Sequence, residues 1–382
     1  MPGGLHAPIE QWLAWPGPNY INPPTKPKYV LIVACILGPI CLSTFLARLW
    51  VRLRIQKNPG WDDFLMLLAW FPVMALTVMY PMVVEIHYFN RHVWDVPMTH
   101  STTQRQYVMA IYIMFAITSG LIKASILLFY RRLSPRSVSP TFRWILIISI
   151  AFIGLATLGF VFITVFTCDP ISAFWDQTDL ILNSSGKYKY KCLDEGAAIV
   201  ANGAISALQD MIAATLPALL CWRLPLSPKQ RKALYIIFTF SYSAVAFGCM
   251  RTYCSFRVFF ETYDITWVAG DIWLWSLLEL SIGCICANAP AVKIFYRHYF
   301  VFSDPNKLVE TSSNSWDKIS GSKRVTLQRK RADTSESYSS QMGINAKLEE
   351  DGGDIEMDHI QATTQFSFVI TPAEEQKDHA GM

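Results

Sequence analysis

Four ionisable side chains sit inside otherwise apolar stretches of this chain: Lys123, Asp210, Arg251 and Glu279. Near the centre of a bilayer each would cost at least ~2.5 kcal/mol, so each calls for a partner or a purpose. Two acids and two bases can neutralise one another. They read either as internal salt bridges that lock helix packing, or as a polar cavity that binds a ligand or changes state on protonation. Asn202, Gln209 and Asn288 can join the same network, and the stem of Lys123 is long enough to reach the cytosolic interface.

Asp62 and Asp63 open another of the apolar runs. Acids at a helix start cap free N–H groups and offset the dipole; the alternative is a latch to basic residues nearby. His87, His92 and His100 are spaced by five and eight, which fits no standard metal site. They read as part of an exposed loop, and no residue set is assigned to a metal. HExxH and GxSxG are absent, and no nucleophile has a base beside it, so no catalytic residue is assigned and an enzyme is not expected.

Seven apolar runs must position these groups: 29–50, 61–85, 106–130, 144–168, 196–222, 233–256 and 272–292. Hydrophobic residues make up 52% of the 382-residue chain and charged residues only 16%, against about 25% in soluble domains. Each run reaches the roughly 20 residues that a lipid-crossing helix needs. The runs are continuous rather than alternating, so helices are expected, with Pro72, Pro81, Pro217 and Pro290 marking kinks. The expected fold is all-α: a seven-transmembrane helix bundle over 29–302, between a short outer segment 1–28 and a disordered cytosolic tail 303–382.

Orientation follows from basic residues. One set of connections, with the segment after the last run, carries fifteen: Arg48, Arg52, Arg54 and Lys57; Arg131, Arg132, Arg136 and Arg143; Arg223, Lys229, Arg231 and Lys232; Lys293, Arg297 and Lys307. The other set carries eight. The N-terminus is therefore expected outside and the C-terminus inside, with Asp62, Asp63, Arg131, Arg132, Arg231 and Lys232 on the cytosolic face. Residues 1–28 lack a cleaved-signal pattern, so the first run is expected to serve as the insertion signal. The charge asymmetry speaks for a lipid bilayer and not for nucleic acid.

The outer loop after the fourth run holds Cys168, Cys192 and the sequon Asn183-Ser184-Ser185. Asn183 is a glycosylation candidate. The two cysteines face an oxidising compartment, as a bridge or as two free thiols. The other seven cysteines read as small apolar residues. Trp61, Trp94, Trp175, Trp222 and Trp267 lie near span ends, as an interfacial aromatic belt would. In the tail, Lys323-Arg324 and Arg329-Lys330-Arg331 precede the acidic Glu349-Glu350-Asp351; these charges read as a solvated tail, or as contacts to anionic lipid or a phosphorylation-controlled partner.

Several motifs occur together and in order. Gly60-Trp61-Asp62-Asp63 opens the second run, and Lys123-Ala124-Ser125 leads to Tyr130-Arg131-Arg132-Leu133 at the end of the third. Cys168-Asp169-Pro170 and Trp175-Asp176 begin the long outer loop. Asp210, Leu216-Pro217, Trp275 with Glu279, and Cys286-Ala287-Asn288-Ala289-Pro290 follow. With these the chain resembles the fungal rhodopsin-domain integral membrane proteins, a receptor-like group with homologues near mycotoxin gene clusters. The resemblance implies a seven-span protein of the plasma membrane. The last run has no lysine before Lys293, so no cofactor is expected and retinal is not held covalently in the usual place. The function expected is a sensor of an unidentified small ligand that signals through cytosolic loops to a partner; the alternative is a proton-coupled transporter or exporter.

Overall fold

The computed structural model describes residues 7–133, 140–178, 189–222 and 228–301. The chain divides into two compact units, 1–319 and 320–382, and all described residues lie in the first. The sequon at Asn183 and the tail from Phe302 fall outside them.

Seven long helices make the bundle. They are α2 (Tyr29–Trp50), α3 (Trp61–Glu85), α4 (Ser101–Leu133), α5 (Pro140–Val165), α7 (Glu195–Trp222), α8 (Pro228–Phe260) and α9 (Ile265–Tyr296). Two short helices flank them, α1 (Ile9–Ala14) before the bundle and α6 (Ala173–Asp176) after α5. Among the described residues six helical stretches are long and apolar enough to cross a membrane: 29–55, 61–85, 98–132, 140–165, 195–219 and 265–300. Helix α8 is not among them, although it contains the expected run 233–256 and packs against α7 and α9. Most side chains of its first two turns, where the expected run begins, lie outside the described residues.

Several helices outrun the apolar stretches that announce them. The run at 106–130 becomes α4, 33 residues long, because polar turns at both ends continue the same hydrogen-bond ladder. The run at 144–168 stops short, since α5 ends at Val165 and Cys168 enters a strand. All four expected prolines lie inside helices, as does Pro39.

Helix α9 is the centre. Sixty-one per cent of its apolar window is buried, against 22% in α5. Outward faces remain apolar: Phe71, Ile148, Leu155 and Phe162 are all more than half exposed. Inside, Met66, Leu76, Tyr80, Ile111 and Leu277 are completely enclosed. A surface greasier than an aqueous protein tolerates is what a lipid solvent permits.

One end of the bundle carries the disulfide, the other a group of arginines. At the disulfide end, β1 (Cys168–Asp169) pairs antiparallel with β2 (Lys191–Cys192), placing Cys168 opposite Cys192. The two are bonded, with Cα atoms 4.1 Å apart.

Candidate functional site

Midway along the bundle the four intramembrane charges meet, and they pair. Arg251 donates from Nε to Glu279 Oε2 at 2.8 Å and from Nη2 to Oε1 at 3.3 Å. Its guanidinium also lies over the Phe115 ring at 4.6 Å. Lys123 Nζ lies 3.2 Å from Asp210 Oδ1 and donates to the Ser206 carbonyl and hydroxyl at 3.0 and 2.9 Å. The Ser206 hydroxyl donates onward to Glu279 Oε1 at 3.4 Å, so the two pairs form one network across α4, α7, α8 and α9. The lysine is bound there and does not reach for the interface.

Packing tightens around it. A Cβ on Gly248 would stand 3.2 Å from Glu279 Oε2 and 3.5 Å from Asp210 Oδ2. The carboxylates thus converge on the one α8 position that offers no side chain. Asp210 Oδ2 is buried and accepts no hydrogen bond. A cavity of about 40 Å³ adjoins it, lined by Lys123, Asp210, Ser241 and Glu279, room for one or two waters. Asn288 is not part of this network. It lies more than two turns further along α9, and its amide donates to Cys284 Sγ at 3.6 Å.

The arginine end holds a second ionic group. Arg48 donates to Asp62 Oδ2 and Asp63 Oδ1, both at 2.9 Å, and to the Ala287 carbonyl of α9 at 2.7 Å. Arg52 reaches the same two acids at 3.3 and 3.2 Å. Arg132, at the end of α4, adds a contact to Asp62 at 3.4 Å and donates to the Asn58 carbonyl at 2.7 Å. Asp63 also accepts from the Gly60 N–H at 3.0 Å, so it caps α3 while it binds arginine. Asp63 thus combines capping with ion pairing, while Asp62 pairs with all three arginines. Gly60 is needed here, since a Cβ would collide with Asp62 and Arg132. Arg131 is exposed. Arg231 and Lys232 stand in the first two turns of α8, and their side chains lie outside the described residues.

A much larger cavity opens at the disulfide end. Its volume is about 540 Å³, and its wall includes Trp12, Trp15, Phe89, Trp94, Tyr112 and Trp273. Trp273 forms the floor. Its ring lies 5.9 Å from both Phe89 and Tyr80 and 6.2 Å from Tyr112. The segment before α2 crosses the mouth, tied by the Asn19 N–H donating to Asp95 at 2.8 Å and by Lys26 Nζ to Asp271 at 2.7 Å.

Two expectations for this end are corrected. The histidines do not hang in an exposed loop. His92 is half-buried between the Trp94 and Trp267 rings, 4.6 and 3.9 Å away and nearly parallel to both, with Nδ1 against Asp264. Burial, with His100 nearby, lowers the pKa of His87. Trp94 and Trp267 are therefore part of an internal stack and not of the aromatic belt, whereas Trp61, 77% exposed, fits the belt. Trp175 is partly buried against the disulfide. Among the described residues no three His, Cys, Asp or Glu side chains gather as metal ligands.

Sequence reasoning missed the partners Arg48, Arg52, Ser206 and the Arg105–Glu195 pair. Spacing held one clue: Arg48 and Arg52 are four residues apart and share a helix face.

The fungal rhodopsin domain model matches residues 47–298. A SAT4 family membrane protein of Emericella nidulans is 25% identical over 66% of this chain and 59% of its own length. The Receptor GIN3 of Arthrobotrys oligospora is 26% identical over 78% of this chain and 69% of its own. Fugralins biosynthesis cluster protein 2 of Gibberella zeae is 23% identical over 69% and 63%. The chain thus spans about three fifths of the first of these relatives. No solved structure matches. Matched across two thirds of its length and built from helices that fit a bilayer, the chain belongs to the fungal rhodopsin domain family of multi-pass membrane proteins.

Proposed function

We propose that this chain is a seven-helix receptor that takes a small ligand into the aromatic vestibule at the disulfide end and answers at the arginine end. The observation that carries this is the position of the vestibule floor. Trp273 and Tyr112 close the cavity. Trp273 stacks on the enclosed Tyr80, and four and six residues further along α9 from Asp271-Ile272-Trp273 come Leu277 and Glu279, the partner of Arg251. A ligand pressing on that floor acts one to two turns above a buried charge network, and bundles with two discrete packings respond to such a bias.

In this reading α8 also spans, sixth of seven along the chain. The disulfide end faces outside, because connections at the other end are richer in basic residues, and the membrane is the plasma membrane. Asp62, Asp63, Arg131, Arg132, Arg231 and Lys232 belong to the face that meets a cytosolic signalling partner. Retinal is not covalently held, the only lysine of α9 being Lys293 near its end. The name of the Arthrobotrys oligospora relative, a receptor, is consistent with this reading.

A proton-coupled transporter is the second reading. It draws on the unpartnered Asp210 oxygen beside a small cavity, since paired intramembrane acids suit proton relays.

Tags at both termini, probed on intact and permeabilised cells, test the orientation; both tags on one face would refute it. Glu279→Gln and Asp210→Asn, compared at equal surface expression, test the coupling. Altered second-messenger output in either supports the receptor. Unchanged output in both, with proton flux into proteoliposomes that Asp210→Asn abolishes, selects the transporter.

A further inference from the structure

The vestibule says what kind of molecule it takes. Among the described residues its wall contains no Asp or Glu. Its one formal charge is Arg105, and that charge is already spent. Arg105 donates from Nη1 and Nη2 to the two oxygens of Glu195, the first at 3.0 Å, and its guanidinium carbon lies over the Phe174 ring, 4.1 Å from its centroid. The serine, threonine and glutamine side chains are likewise turned to the protein, while the indole N–H of Trp273 is buried without an acceptor and is the one donor left for a guest among these groups. Ser101 donates to the Met98 and Thr178 carbonyls, Thr178 to Trp175, and Thr266 to Arg91. The Gln104 and Gln177 amides donate to the His87 and Phe174 carbonyls.

An anion entering here would have to displace Glu195 from a bidentate grip, and a displaced carboxylate would be left without its partner. A cation would find aromatic faces but no free counter-charge, the Glu195 carboxylate being held by Arg105. An uncharged molecule meets neither cost. Rings on several sides of the cavity favour flat, ring-bearing surfaces, which stack on indole and phenol faces and gain from apolar burial as well. The volume of about 540 Å³ falls in the usual range for a drug-sized guest.

We propose that the vestibule selects an uncharged, ring-bearing apolar molecule and discriminates against charged analogues of the same shape. This rests on the receptor reading of the same cavity.

The test uses the full chain in lipid nanodiscs and three fluorescent probes with the same rings: neutral phenylnaphthylamine, its sulfonated anilinonaphthalene analogue, and a phenylnaphthylamine bearing a trimethylammonium group. Signal from empty nanodiscs is subtracted. The expected result is saturable binding of the neutral probe, with both charged probes weaker by roughly tenfold or more. Ala269→Trp, which fills the cavity beside its floor, should remove the saturable component. Should that variant not fold, Trp12→Ala, at a half-exposed ring of the wall, should weaken it. A charged probe that binds as well as the neutral one overturns the inference and leaves the receptor site standing. No saturable binding by any probe, from folded protein, removes the vestibule as a ligand site and the receptor reading with it.

Discussion

Arg251 and Glu279 hold each other through two nitrogens and two oxygens, at 2.8 and 3.3 Å, and both side chains are more than nine-tenths buried. Both are shielded from bulk solvent. Removing one partner leaves the other charged and unsatisfied, which costs about 3–5 kcal/mol in buried pairs. Glu279→Ala should therefore lower the thermal unfolding temperature of the detergent-solubilised protein sharply. Arg251→Met combined with Glu279→Leu should recover most of the loss, because apolar replacement of both partners removes the unpaired charge. A double variant no more stable than Glu279→Ala alone would contradict this.

At the arginine end, burial separates two residues of the same type. The Arg48 side chain is 4% exposed, bridges both acids and reaches the α9 backbone, while that of Arg132 is 33% exposed. Arg48→Ala should cost on the order of 3–5 kcal/mol, and Arg132→Ala about 0–1 kcal/mol. Thermal unfolding of the two single variants side by side checks the order.

Glycines in α5 and α7 should answer an added methyl with opposite signs. Gly154 and Gly159 meet nothing within 4 Å, whereas a Cβ at Gly203 would stand 2.6 Å from Thr252 Oγ1 and one at Gly196 2.8 Å from Phe259 Cβ. Alanine at 154 or 159 should be neutral or stabilising by up to ~1 kcal/mol, the helix-propensity gain. Alanine at 196 or 203 should destabilise by about 1–3 kcal/mol, because α7 and α8 must move apart. Unfolding temperatures of the four variants read the difference.

The Cys168–Cys192 bridge spans 24 residues of sequence. On the loop-entropy account its removal should cost about 3 kcal/mol. Cys168→Ser or prior reduction should lower the unfolding temperature of the wild type. Reduction of the Cys168→Ser protein should have no further effect.

How much of this was legible depends on range. The helices announced themselves as apolar runs, since a bilayer demands a length that composition reveals at once. The misjudged ends, such as 101–105 in α4, are polar turns that hydropathy ignores and hydrogen bonding does not. The four intramembrane charges were visible as anomalies, but not their pairing: any acid could have met any base, and Ser206, which links the two pairs, looks like any serine in an apolar run. Asn288 looked equally suited to the network and lies too far along α9 to join it. The vestibule was the least visible, because its wall comes from segments as distant as Trp12 and Trp273, and nothing local marks two tryptophans as neighbours. His92 shows the same limit: its stack needs Trp267, 175 residues away.

Helix α9 bears four contacts along one axis: Asp271 to Lys26, Trp273 to the vestibule, Glu279 to Arg251, and the Ala287 carbonyl to Arg48. From first to last these cover 16 residues, about 24 Å of helix. A rod so pinned is a camshaft: it cannot turn at one station and stay still at the others, so a twist too small to see at its tip would unseat a guanidinium at its far end.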